Sequence, residues 1–190
     1  GDQILAILAS GRKSRGALVG NTVVATVMSN LGFNIAMKEL EIEVIAAAVG
    51  DRYVLEEMRT GGFTIGGEQS GHVVLSEFAT TGDGVLTALH LMSEMKATGK
   101  SMAELAAIVN RLPQVLINVP NVDKSSVSKS AVSEAVAKLE QELGSTGRIL
   151  LRPSGTEPLI RVMVEAATAD QAQKVAKELA EVVATHCALS

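Results

Sequence analysis

Thr22-Val-Val-Ala-Thr-Val-Met-Ser-Asn30, continued by Leu31-Gly-Phe-Asn-Ile-Ala-Met-Lys-Glu-Leu40 and then Glu43-Val-Ile-Ala-Ala-Ala48, decides the fold. Thr22–Ser29 is rich in β-branched residues and reads as a buried strand. Asn30 stands where a helix needs a side-chain acceptor, and Leu31–Leu40 sets Phe33, Ala36, Met37 and Leu40 on one face. Glu43–Ala48 is a second apolar strand, stopped by Gly50. Strands alternating with helices imply an α/β layer whose sheet is largely parallel.

Toward the N-terminus, Asp2 is placed to cap a short helix over Gln3–Ala9, with the polar Ser10–Gly16 ending it. Toward the C-terminus, Asp51 is placed to cap a helix through Arg59 that stops at Gly61-Gly62. Short strands, Phe63–Ile65 and Val73–Ser76, flank a glycine-rich loop at 66–72. Asp83–Lys96 carries the helical period in Val85, Leu86, Leu89 and Met92, and Ser101-Met-Ala-Glu104 is a capping box opening a helix to about Asn110. The pattern changes at Arg111-Leu112-Pro113, the expected linker. Beyond it come a strand (Val115–Val119), a polar turn (Pro120–Ser126) and a helix from about Ser128 to Leu143. Two strands follow, Arg148–Arg152 and Leu159–Glu165. A final helix opens at Thr168, with Ala172, Val175, Ala176, Leu179, Val182 and Val183 on its apolar face. The expected architecture is therefore α/β: a three-layer-like domain with a mixed sheet over residues 1–110, then a small α+β two-layer domain over residues 114–190.

Composition bounds the function. The chain has 190 residues, 47% of them apolar, so it can bury a sizeable core and is not a disordered segment. With three Phe, one Tyr and no Trp, that core has to be built from aliphatic residues and Met. The formal net charge of −4 argues against a general nucleic-acid or anionic-membrane binder, so any anion site must be a local cluster. Cys187 is the single cysteine, which suits a reducing cytoplasm; near the chain end and without an evident partner, it is expected to have no role. No apolar run approaches the ~18 residues of a membrane span, and no secretion signal is visible. The opening Gly1-Asp2-Gln3, without Met, suggests a piece of a longer protein.

Three segments carry chemistry. In Arg152-Pro-Ser-Gly-Thr-Glu-Pro158, Arg152 offers a planar fork for two phosphate oxygens, Ser154 and Thr156 offer hydroxyls, and Gly155 lets the backbone turn its N–H inward. Arg161 lies just beyond, on the outgoing strand. The bland alternative is a rigid turn with an exposed arginine. In Gly66-Gly-Glu-Gln-Ser-Gly-His72, glycines frame Glu68 and Ser70 in a loop expected to be mobile; a carboxylate with about four lone-pair sites suits adjacent sugar hydroxyls. His72 either donates to a ligand or ties the loop down, and the alternative is a hairpin with a solvated Glu. Third, Gly50-Asp51-Arg52-Tyr53 opens a helix whose N-terminus favours anions, with Asp51 serving either there or as the cap. No Cys/His cluster has metal-ligand spacing, and no phosphate-binding Gly-x-x-x-x-Gly-Lys loop or Gly-x-Ser-x-Gly elbow occurs.

Taken together, Gly67-Glu-Gln-Ser-Gly-His72 and Leu151-Arg-Pro-Ser-Gly-Thr-Glu-Pro158 resemble the bacterial phosphoglucosamine mutases of the α-D-phosphohexomutase superfamily, along essentially the whole chain. The resemblance implies the third and fourth of four domains around one cleft, the fourth with a TATA-box-binding-protein-like fold. It implies that Glu68 and Ser70 hold sugar hydroxyls and that Arg152, Ser154, Gly155 and Thr156 grip the phosphate that is not reacting. Arg161 and His72 are weaker carry-overs, and Asp51 and Arg52 weaker still. The family's phosphoserine motif and its aspartate loop for Mg²⁺ are not in this sequence, so no catalytic residue and no metal ligand is expected here. The whole enzyme would convert glucosamine 6-phosphate to glucosamine 1-phosphate through a bisphosphate, the fragment alone being inactive. A homodimer is a further implication. Phosphomannomutase or phosphoglucomutase halves, and a stand-alone sugar-phosphate-binding module, are the alternatives.

Overall fold

The computed structural model describes residues 1–189. They divide into two compact units, Gly1–Arg111 and Leu112 onward. The first contains α1 (Asp2–Ser14), β1 (Thr22–Thr26), α2 (Leu31–Glu39), β2 (Glu43–Ala47), α3 (Asp51–Gly61), β3 (Ile65–Gly67), β4 (Val73–Leu75), α4 (Gly84–Thr98) and α5 (Met102–Ala106). The sheet order is β2-β1-β3-β4, parallel except for the antiparallel β3–β4 hairpin. All of β1 is buried because both faces of the sheet are covered. Val23, Ala25, Ile65, Val73 and Leu75 pack with α1 and α2 on one side, and Val24 and Val74 pack with Val54 and Met58 of α3 on the other. The layering is α/β/α with a mixed sheet.

The N-cap of α2 is Asn30, whose side chain accepts from the Gly32 N–H. Other local expectations are corrected. Asp2 is the first residue of α1 rather than its cap, and its carboxylate accepts from the Asn30 N–H at 2.8 Å. The helix runs through the polar stretch to Ser14 because those side chains find distant partners. Arg12 pairs with Glu77, and Lys13 Nζ donates to the Leu40 and Glu41 carbonyls at the end of α2. Gly50, at φ 127°, occupies the N-cap of α3 in place of Asp51. The strand expected at Phe63–Ile65 lies at Ile65–Gly67, two glycines deep into the loop. A Cβ on Gly66 would come within 2.8 Å of Val54 Cγ1 and 2.7 Å of Met58 Sδ, so the glycine lets α3 lie against the sheet.

The face of α4 is also corrected. Val85 and Leu89 are 73% and 56% exposed, and Met92 is exposed too, whereas Thr87, Leu91 and Glu94 are buried. Glu94, only 4% exposed, accepts from both terminal guanidinium nitrogens of Arg15, at 2.9 and 2.5 Å. A buried carboxylate matched by an arginine fork replaces the apolar residue that periodicity places there.

The second unit contains β5 (Gln114–Pro120), a 3-10 turn at Lys124–Ser128, α6 (Ser130–Leu143), β6 (Arg148–Pro153), β7 (Leu159–Glu165) and α7 (Ala169–His186). Its antiparallel sheet has the order β5-β7-β6. Ile149, Leu151, Ile160, Val162 and Val164 pack with Val132, Leu139, Ala176 and Leu179 of the helices. By strand alternation, Arg148, Leu150, Arg152, Arg161, Met163 and Glu165 belong to the other face. Cys187 is not a frayed end. It is fully buried, its Sγ–H donates to the Ser126 carbonyl at 3.3 Å, and an antiparallel bridge joins Val122 to Ala188 beside it.

Candidate functional site

In the first unit the β3–β4 hairpin presents Glu68 through His72. The loop is tied rather than loose. The Glu68 N–H donates to the His72 carbonyl at 2.9 Å, the Gly71 N–H donates to the Glu68 carbonyl at 3.0 Å, and Gly71 turns at φ 105°. These bonds close the loop as a tight turn. Ser70 stands exposed at the tip, with Glu68 half-buried beneath it.

Two chemistry-bearing segments of the sequence meet here. Glu68 Oε1 accepts from the Gly50 N–H at 3.0 Å, and His72 Nε2 lies 3.6 Å from Asp51 Oδ2. The N-terminus of α3 thus orients one carboxylate oxygen of Glu68. Asp51 spends Oδ1 on the Arg52 N–H and turns Oδ2 toward His72. Arg52 does not join the cluster. Its guanidinium lies 4.4 Å from the Tyr53 ring centroid and bonds the Tyr53 hydroxyl. Behind His72 stands Gly82, where a Cβ would run into the imidazole. Gly50 as a donor to Glu68 was missed by sequence reasoning, since nothing local marks a backbone N–H for a carboxylate 18 residues away.

In the second unit the 153–158 loop is built from its own turn bonds. Ser154 is 4% exposed; its hydroxyl accepts from the Glu157 N–H at 3.3 Å, and its own N–H donates to the Leu159 carbonyl at 2.9 Å. Ser154 therefore shapes the loop and keeps its hydroxyl proton for donation. Gly155, Thr156 and Glu157 are exposed, and among the described residues no protein acceptor takes the N–H of Gly155 or Thr156. Arg152 and Arg161 are register partners across β6 and β7 on the face away from the helices. Neither has a carboxylate in ion-pair range among the described residues, and Arg161 Nε is buried without an acceptor. At the other end of the same two strands, Arg148 Nε donates to Glu165 at 2.7 Å. One end of this face is neutralised and the other holds two unmatched cations beside two free N–H groups, which suits a dianion. Lys124, 30 residues upstream, sends Nζ to the Ser154 carbonyl at 2.8 Å. Sequence reasoning passed over it because a single lysine in a polar turn carries no local signal.

Among the described residues no three His, Cys, Asp or Glu side chains are placed to hold a metal ion. Among the described residues no helix is long and apolar enough to cross a membrane.

An α/β/α layer followed by a three-stranded α+β unit is the domain pair of a known class. Residues 1–112 match the family model for phosphoglucomutase/phosphomannomutase, alpha/beta/alpha domain III, and residues 116–182 match that for the C-terminal domain. The chain belongs to the phosphoglucomutase/phosphomannomutase family. Among curated relatives it is similar to the phosphoglucosamine mutases of Nocardioides sp. (61% identity over 100% of this chain) and Corynebacterium efficiens (63% over 97%). It spans 42% and 41% of their lengths, so it corresponds to less than half of either. In fold it is similar to Aspergillus fumigatus N-acetylphosphoglucosamine mutase in complex with GlcNAc-6P and magnesium. There the TM-score is 0.78 at 21% identity, covering 96% of this chain and 46% of that one.

Proposed function

We propose that this chain is the substrate-recognition half of a phosphoglucosamine mutase, the cytoplasmic enzyme that interconverts glucosamine 6-phosphate and glucosamine 1-phosphate. The Arg152–Arg161 pair carries the reading, because two facing cations with no carboxylate in ion-pair range among the described residues call for an anionic ligand. Arg152, Arg161, the Gly155 and Thr156 N–H groups and the Ser154 hydroxyl hold the phosphate that is not reacting. Glu68 and Ser70 accept from and donate to sugar hydroxyls, with His72 beside them and Asp51 orienting His72.

The whole reaction is a double transfer. A phosphoserine gives its phosphoryl group to the free sugar oxygen, whose proton leaves, and the resulting bisphosphate reverses its orientation. The serine then takes the phosphoryl group from the other end. A loop that grips any phosphate dianion and a loop that reads hydroxyls both tolerate the two orientations such turning needs. The phosphoserine motif is not in this sequence, so the chain alone binds and does not turn over. It binds weakly, because the other ligand-contacting segments are not part of it.

The test is an assay of the longer polypeptide carrying this chain, with glucosamine, mannose and glucose 6-phosphates side by side. Fastest turnover of the glucosamine phosphate is expected. Preference for mannose or glucose phosphate would move the protein to another branch of the family, and no mutase activity on any of them would overturn the reading.

A further inference from the structure

We infer that Lys124 is a positioning residue of the phosphate loop: its ammonium holds the Ser154 carbonyl and thereby aims the Gly155 N–H at the anion. The inference rests on the phosphate-loop reading above. In a planar trans peptide the carbonyl of one residue and the N–H of the next point in opposite directions. Among the described residues no peptide is cis, so fixing the Ser154 oxygen also fixes the Gly155 N–H. Lys124 Nζ supplies that restraint at 2.8 Å, and no protein acceptor takes the Gly155 N–H among the described residues.

The restraint is needed because Gly155 has no Cβ to bias its backbone, and open space surrounds the position a Cβ would occupy. A flip of the Ser154–Gly155 peptide would turn a carbonyl oxygen toward the site in place of an N–H, converting attraction of an anion into repulsion. Lys124 is itself held on a braced segment. The Asp123 carboxylate caps the turn, accepting from the Ser125 N–H at 3.0 Å, the Ser125 hydroxyl at 2.8 Å and the Ser126 hydroxyl at 2.7 Å. The Asp123 N–H donates to the Cys187 carbonyl at 2.7 Å, which ties the turn to the end of α7. The C-terminal segment thus reaches the phosphate loop through one lysine.

The test titrates the isotope-labelled 190-residue chain with inorganic phosphate at constant ionic strength, following the Gly155 and Thr156 amide resonances. Lys124→Met is expected to weaken phosphate binding about tenfold, as loss of a charge-assisted hydrogen bond would. It should also move the Gly155 amide resonance before any phosphate is added and lower the urea unfolding midpoint modestly, as loss of one intrachain hydrogen bond does. Lys124→Arg, which keeps a charged donor, is expected to restore affinity to within about threefold. Lys124→Gln repeats the neutral measurement should the Met variant fold poorly. Phosphate affinity equal to that of wild type in the neutral variants, with an unmoved Gly155 resonance, overturns the inference while leaving the loop reading intact. A wild-type chain whose Gly155 and Thr156 amides ignore phosphate overturns the loop reading itself.

Discussion

Arg152 and Arg161 sit directly opposite each other on adjacent antiparallel strands, two guanidinium groups on one face with no carboxylate in ion-pair range of either among the described residues. Like charges placed this way oppose folding by roughly 0.2–1 kcal/mol, and the same strands show the relieved arrangement at Arg148 and Glu165. The proposed phosphate ligand would supply the counter-charge that this pair does not find among the described residues.

Arg152→Ala therefore has two effects of opposite sign. It removes charge-assisted hydrogen bonds of ~1.5–3 kcal/mol each, so calorimetry should show phosphosugar binding weakened about tenfold or more. Unfolding of the ligand-free chain should be unchanged or slightly harder. A variant that binds as wild type does would remove this loop from the site.

Glu68 separates charge from hydrogen bonding. Glu68→Gln keeps an oxygen for the Gly50 N–H and should leave the thermal midpoint within the error of the wild-type value, while weakening binding of the sugar. Glu68→Ala also strands the Gly50 N–H and should cost about 0.5–1.5 kcal/mol of stability, read from urea unfolding. Equal losses of stability in the two variants would contradict this division.

Gly66→Ala forces a methyl group against Val54 and Met58. Overpacking of this kind costs typically ~1–3 kcal/mol, and the displaced strand carries Glu68 with it. Denaturant unfolding should show the loss. Gly71→Ala should also destabilise, for a different reason: space is open there, but φ is 105°, which a side chain disfavours.

Burial pushes the Cys187 thiol above its ordinary pKa. The folded chain therefore favours the neutral thiol. Its contribution is fully present below the unfolded value of about 8.5 and is lost as pH rises through the higher folded one. The urea midpoint should fall on the alkaline side of about 8.5, less so in Cys187→Ala. Alkylation by iodoacetamide should be slow in native buffer and fast in urea; rapid native labelling would contradict the burial.

Much of the chain is legible from local pattern. Period and capping chemistry identify α2 with Asn30, β7 over Leu159–Glu165, and α7 with Thr168 and its buried Ala172, Val175, Ala176 and Leu179. These elements bury one stripe or alternate residues, so their sequence records their environment directly. The misreadings occur where a tertiary partner overrides a local tendency. Lys13 and Arg12 extend α1 through bonds to residues far along the chain. Glu94 faces inward on α4 because Arg15 meets it, leaving Val85, Leu89 and Met92 outside.

By itself, then, the sequence determined the α/β then α+β order, the two loops and the residue types they offer, because these rest on near-neighbour spacing. Only the tertiary structure decided that Gly50 steadies Glu68, that Arg161 faces Arg152 across a strand pair, and that Lys124 reaches Ser154. Each of these joins groups that only chain folding brings within hydrogen-bonding or cross-strand range, and no local signal encodes such a meeting.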